Sequence, residues 1–187
     1  MIDAVYDACV LYSGSLRDLL LHIAKVKLVR PFWSDEIHEE WIRSLLRNRP
    51  HLNHESLQRT RHRMNTEFKN SLSKGYEIIL PTLALPDPND RHVLAVAIDV
   101  KAEYIVTFNL NDFPKATLQP YGIEAVSPDE FVLRLIQQSP YFVLRAAQNH
   151  RLSLIHPPKT AVEYIATLEK QKLPETVAFL REHEAEI

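Results

Sequence analysis

Carboxylates recur in this sequence where apolar runs break off. Asp7 closes "IDAVYD", "TFNLND" follows the apolar "EYIV", and "DPND" opens onto "RHVLAVAI". Such residues serve turns and helix caps. They are also oxygen-only donors, and several carboxylates gathered in one dry cleft repel, raising their pKa values unless a cation sits among them. A hard divalent metal resolves that conflict.

The elements that must position these acids follow from hydrophobic spacing. "IDAVYD" reads as a strand, and "SLRDLLLHIAKV" repeats leucine and isoleucine at helical spacing. "LVRPFW" reads as a second strand, which Pro31 confines to an edge or an end. Ser34 caps a helix through "DEIHEEWIRSLLR", with Ile37, Trp41 and Leu45 on one face and acids in its first turn. Asp87 and Pro88 start a helix through "DRHVLAVAIDVKA". "EYIVTF" and "GIEAV" are strands, and Ser127, Pro128 and Glu130 form a capping-box start for "SPDEFVLRLIQQ". The alternation predicts a mainly parallel sheet covered by helices. In such sheets a ligand site lies beyond the carboxyl ends of the strands, where Asp7 and "TFNLND" fall.

Composition narrows the function. The chain has 187 residues, enough for one full-sized core with a small appendage. A single cysteine, Cys9, makes no internal disulfide, and no stretch has the basic flank and apolar core of a secretory signal. No run approaches the roughly 20 apolar residues that cross a bilayer, so a cytoplasmic protein with no membrane partner is expected. With net charge −2, attraction to nucleic acid must be local. The three glycines form no phosphate-cradling loop.

Four stretches, "VYDACVL", "SDEIHEEW", "DPNDRHVLAVAI" and "YIVTFNLNDF", resemble the acidic motifs of the PIN-domain nucleases, and among these the VapC-type toxins. The resemblance spans about residues 2 to 134. It implies a three-layer α/β/α sandwich and a metal-dependent endoribonuclease, the toxin of a toxin–antitoxin pair. Its catalytic and metal-binding acids would be Asp7, Glu40, Asp90 and Asp112, holding Mg²⁺ or Mn²⁺. The helical wheel alone does not choose among Glu36, Glu39 and Glu40; the family spacing selects Glu40. Two positions depart from the commoner pattern: Cys9 stands where asparagine is frequent, and Asn109 where aspartate is. Asp112 is taken as the fourth acid, with Asn109 and Thr107 supporting it and Asp87 mainly a cap. Expected partners are RNA, a small antitoxin protein and a second copy of the chain. A PIN nuclease of RNA or DNA maintenance, or a catalytically degenerate binding module, are the alternatives.

Residues 1–138 are read as the nuclease domain and 139–187 as a helical extension packed on the domain or on a partner. In the extension Thr160 and Glu163 form a capping box, and Pro174 marks a break. The segment "RNRPHLNHESLQRTRHR" carries Arg47, Arg49, Arg59, Arg61 and Arg63 against one acid, Glu55, and is a candidate for holding RNA backbone, Arg59, Arg61 and Arg63 foremost, against an ordinary solvated helix face. His38, His62 and His92 are expected at the surface or core edge, and Cys9 as a small core residue.

Overall fold

The computed structural model describes residues 1–187. In chain order the elements are β1 (Ile2–Tyr6), α1 (Ala8–Leu11), α2 (Gly14–Lys25), β2 (Val29–Phe32), α3 (Asp35–Asn48), α4 (His54–Glu67), α5 (Arg91–Asp99), β3 (Tyr104–Val106), α6 (Lys115–Leu118), β4 (Glu124–Val126), α7 (Pro128–Gln138), α8 (Pro140–Ser153), α9 (Ala161–Glu169) and α10 (Pro174–Glu182). Short 3₁₀ turns fill the connections, notably at Tyr76–Ile78, Leu80–Thr82, Pro88–Asp90 and Leu110–Asp112.

The four strands form one parallel sheet in the order β2-β1-β3-β4. Pro31 sits in β2, an edge strand, where a residue without an N–H is tolerated. Val5 pairs with Ile105 and Ile105 with Ala125, so β1 and β3 are neighbours although 97 residues of chain (Asp7 to Glu103) separate them. After β1 the chain moves to one side of the sheet, and after β3 to the other. The crevice at this reversal, between the carboxyl ends of β1 and β3, is where ligands bind in open parallel sheets. The chain thus has the expected PIN-like α/β fold with further C-terminal helices.

Two compact units divide the chain. One comprises Ile2–Tyr12 and Arg30–Val126; the other comprises Met1, Ser13–Val29 and Ser127–Ile187. The first holds the sheet. Its core gathers Val5 and Tyr6 of β1, Ile105 and Val106 of β3, Trp33, Trp41 and Ile37 beside α3, and Val93 to Ala97 of α5, all fully buried. α5 packs on both β1 and β3, and α1 on α3.

The second unit is helical. α2 packs on α8, α7 on α8 and α10, and α9 on α10 and α2. Leu16, Leu19, Leu20 and Ile23 supply the buried face of α2. α10 is tied down at its N-terminus by Asp129 of α7. That carboxylate accepts hydrogen bonds from the Glu175 and Thr176 amides (3.0 and 2.9 Å) and from the Thr176 hydroxyl (2.8 Å). At Thr160 the expected capping box is complete, with hydroxyl and Glu163 carboxylate bonding in both directions. At Ser127 only half of one forms. Its hydroxyl accepts from the Glu130 amide (3.2 Å), but the Glu130 carboxylate turns instead to Arg134, one helical turn on, at 2.5 Å. No helix is long and apolar enough to cross a membrane.

Candidate metal centre

A cleft of about 1150 Å³ opens in the sheet unit, lined by Asp7 from the end of β1, Glu36 and Glu40 from α3, Asp90 and His92 at the start of α5, and Asn109 after β3. Asp7 and Asp90 both occupy helix N-cap positions, and neither side chain makes a capping bond. The reasons differ. Asp7 has the extended backbone that a cap requires, but its Oδ2 is engaged elsewhere: Thr107 Oγ1 donates to it at 2.6 Å and Cys9 Sγ at 3.1 Å. Asp90 ends the 3₁₀ turn Pro88–Asp90 with helical backbone angles (φ −85°, ψ −3°), so its carboxylate cannot swing back over the α5 amides. The capping falls to Asp87, whose Oδ1 accepts from the Asn89 amide at 2.8 Å.

The turn after β3 is a scaffold for Asp7. The Asn109 amide donates to Thr107 Oγ1 (3.0 Å) and the Phe108 amide to Cys9 Sγ (3.3 Å), and these two side chains then donate to the same oxygen of Asp7. Burial, followed by the charge of Asp7, pushes the Cys9 thiol up to about 12, so it stays protonated as a donor. With Oδ2 held twice, Oδ1 of Asp7 is left for a ligand. Cys9 is therefore half-buried at the site rather than a core filler, because its sulfur substitutes for the polar group that a neighbouring carboxylate needs.

Glu40 is held in a comparable way. His92, 2% exposed, places Nε2 at 3.2 Å from Glu40 Oε1, and as a carboxylate only accepts, that nitrogen carries the proton. Burial alone would lower the His92 pKa, but its hydrogen bond to Glu40 and the charges of Glu40, Glu36 and Asp7 outweigh that and raise it. Glu36 accepts from the Tyr76 hydroxyl at 3.2 Å and lies 3.9 Å from His92 Nδ1. His92 and His38 are buried rather than at the surface or core edge: His38 bonds Trp41 and Asn65 inside the sheet unit's core. His62 is exposed.

Asp90 is pushed up to about 6, first by burial and then by the like charges of Asp7, Asp112, Asp87 and Glu40. The carboxylates thus feel one another without forming a closed cage: no three His, Cys, Asp or Glu side chains converge tightly enough to hold an ion as they stand. Mutual repulsion spreads them, and a hard cation that takes few carboxylates and keeps several waters suits such a spread set. With His92 and Cys9 engaged on Glu40 and Asp7, the donors left to a cation are carboxylate oxygens, which fits Mg²⁺ or Mn²⁺. Asp112, half-buried at the end of its 3₁₀ turn, acts on Asp90 by charge but does not line the cleft wall, whereas Asn109 does.

The arginines divide in a way that spacing within "ESLQRTRHR" does not show. Arg59, Arg61 and Arg63 lie on α4 and do not line the cleft; Arg59 pairs with Glu55 (3.1 Å) and Arg61 with Asp35 (2.6 Å). Arg43, Arg47 and Arg91 do line it. Arg43 was missed by sequence reasoning, Arg47 was named only as part of the arginine-rich segment, Glu36 was passed over in favour of Glu40, and His92 was expected at the surface or core edge. A signal existed for three of them, since residues 36, 40, 43 and 47 share one helical face. For His92 there was none beyond its closeness to Asp90.

Comparisons with known proteins agree with this layout. Residues 3–111, more than half of the chain, match the family model described as PIN domain, and residues 128–182 match that described as VapC50 C-terminal domain. The PIN match takes in Asp7, Glu40, Asp90 and Asn109 and stops one residue short of Asp112. The protein named "Putative ribonuclease VapC50" from Mycobacterium tuberculosis (strain ATCC 25618 / H37Rv) is 57% identical over 44 residues, 24% of this chain. The chain spans about a quarter (26%) of the length of that relative. No solved structure matches. Acids set at strand ends around the crevice of a parallel sheet, on the stretch that the family model covers, together with a matching C-terminal helical segment, place the chain in the PIN-domain family, among its VapC-type members.

Proposed function

We propose that the chain is a metal-dependent endoribonuclease, the toxin of a toxin–antitoxin pair, which hydrolyses RNA phosphodiester bonds at the cleft. The observation that carries this reading is the gathering of Asp7, Glu40 and Asp90 in one cleft at the strand ends of the sheet. The Asp90 carboxyl is raised to about 6 by burial and by four acidic neighbours, and a divalent cation offsets such a like-charge cluster. Asp7, Glu40, Asp90 and Asp112 would hold Mg²⁺ or Mn²⁺, which supplies Lewis-acid polarisation of a phosphoryl oxygen and a water acidified toward neutral pH.

The chain's own residues do the positioning. Thr107 and Cys9 fix one oxygen of Asp7 and orient the other; His92 does the same for Glu40. Asp87 holds the turn that presents Asp90. Asn109 lines the cleft with a neutral amide, as a ligand or an orienter beside Asp112. No covalent nucleophile is required, and Cys9, kept protonated, does not supply one.

A small antitoxin and a second copy of the chain complete the proposed set of partners, in the cytoplasm. The toxin–antitoxin role rests on the VapC-type family match. Purified protein incubated with a mixed RNA pool, with Mn²⁺ and with chelator, tests the reaction: cleavage with Mn²⁺ alone is expected, and its absence, or cleavage equal in chelator, overturns the reading.

A further inference from the structure

One face of α3 changes sign along the cleft. The cleft-lining residues Glu36, Glu40, Arg43, Ser44, Arg47 and Asn48 form a single helical stripe, acidic in its first half and basic in its second. At 1.5 Å per residue, Arg43 lies about 4.5 Å and Arg47 about 10.5 Å beyond Glu40 along the axis. Both are exposed, and neither makes an ion pair or a side-chain hydrogen bond. The arginines of α4 differ, since Glu55 and Asp35 already neutralise two of the three. Arg47 in the last turn also complements the helix dipole. That role asks only for nearness to the helix end, and does not account for Arg43 or for the cleft-facing side that the two share.

From this we infer that Arg43 and Arg47 bind neighbouring phosphates of one single-stranded RNA segment laid along α3, with the scissile phosphate at the Glu40 end. This inference rests on the nuclease reading and names how its substrate is held. An anionic site in a chain of net charge −2 repels an anionic substrate, so binding energy must come from cations close to the acids. Unpaired guanidinium groups keep their forked donors for phosphate oxygens. A cleft of about 1150 Å³ exceeds the roughly 300–1,000 Å³ of small-ligand sites, which suits a short single-stranded stretch. Duplex RNA displays its phosphates on a wide rigid surface and does not enter such a cleft. Leu80 and Pro81 line the same cleft and offer apolar surface to a base.

The test is fluorescence-anisotropy binding of labelled single-stranded RNA of mixed sequence to the full chain, over a salt series, with Asp7→Asn in every sample to prevent cleavage. Three further variants are compared in that background: Arg43→Ala/Arg47→Ala, Arg43→Lys/Arg47→Lys, and Arg59→Ala/Arg61→Ala/Arg63→Ala. The alanine pair on α3 should weaken binding at least about tenfold and flatten the log–log salt slope by about 1.4, near 0.7 for each lost phosphate contact. The lysine pair should keep the slope, and the α4 triple variant should stay within about twofold of the parent. An unchanged affinity in the α3 alanine pair, a loss in the α4 triple instead, or equal binding of a matched RNA duplex overturns the inference. Unaltered thermal midpoints show that both sets fold, as expected for exposed side chains. Wild-type cleavage with Mn²⁺ is scored separately. A cleaving protein indifferent to Arg43 and Arg47 sinks this inference alone, whereas arginine-dependent binding without cleavage keeps the phosphate track on α3 and sinks the nuclease reading, and with it the scissile phosphate at the Glu40 end.

Discussion

Asp129 in the helical unit and Asp90 in the sheet unit are both aspartates near the start of a helix, and their surroundings are opposite. Asp129 is 8% exposed and accepts three hydrogen bonds that hold α10. Asp90 accepts none, and it sits among four acids that raise its pKa to about 6. In the helical unit Asp129 takes backbone and hydroxyl donors; in the sheet unit Asp90 and Asp112 take none, while donors at the cleft orient Asp7 and Glu40. An acid satisfied by the fold contributes stability. An acid that the fold leaves repelled contributes a site, at a cost in stability that a cation offsets.

The sharpest way to break this comparison is to remove a carboxylate from each side. Asp90→Asn should lower RNA cleavage at least about 100-fold, while the thermal midpoint stays level or rises because a repulsive charge is gone. Asp129→Ala should do the reverse. It should cost about 3 kcal/mol in denaturant titrations, since two amides and a hydroxyl lose a charged acceptor, and leave the cleavage rate per folded molecule unchanged. Stability lost in the first variant or retained in the second would dissolve the distinction.

The two units also respond to acid in opposite directions. His150 of α8, stacked on His22 (5.0 Å) and bonded to the Tyr164 hydroxyl (3.0 Å), is pushed down to about 3 by burial first and then by the charges of His22, Lys159 and Lys25. Unfolded, it takes a proton near pH 6.5. Its contribution is therefore complete above pH 6.5 and is lost as pH falls toward 3, by up to about 1.4 kcal/mol per pH unit. Asp90, with a folded value near 6 against about 3.9 unfolded, works the other way: its destabilisation is relieved as pH falls through 6. Between pH 6.5 and 5, His150→Gln should flatten the acid-side decline in chemical stability by about 2 kcal/mol, whereas Asp90→Asn should steepen it. An unaltered pH profile in His150→Gln would show that the imidazole is charged in the folded unit.

A smaller effect tests the orienting donors. Thr107→Val keeps the shape of the side chain and removes the 2.6 Å bond to Asp7. It should weaken Mn²⁺ binding by about tenfold, the range for an outer partner of a metal ligand. Unchanged Mn²⁺ affinity would mean that packing alone orients Asp7.

Much of this arrangement was legible locally. The strands, the edge position of Pro31, and the caps at Ser34, Asp87 and Thr160 follow from residue type and periodicity, which act over a few residues. What escaped was set by distant partners. His92 reads as an ordinary helix residue until the fold brings Glu40 against it from 52 positions away, and Cys9 reads as a core filler until the β3 turn delivers Thr107 and the Phe108 amide. The 3₁₀ turn that keeps Asp90 from capping α5 was hidden as well. "DPND" suits a smooth helix start with Asp87 as its cap, and the intervening 3₁₀ turn lies in backbone angles that residue types alone do not specify.

Calorimetric titration of Mn²⁺ into the full chain and into Asp7→Asn, Asp90→Asn and Asp112→Asn at pH 7 tests the central claim most directly. The acids at the cleft should bind Mn²⁺ in the wild-type chain, with binding lost or weakened at least about tenfold in each variant. Asn109→Ala, run alongside, should lose less than Asp112→Asn, a neutral dipole counting for less than a charge. Equal Mn²⁺ affinity in the wild-type chain and in the Asp7 and Asp90 variants would contradict the account, because the repelled carboxylates would then be serving no cation.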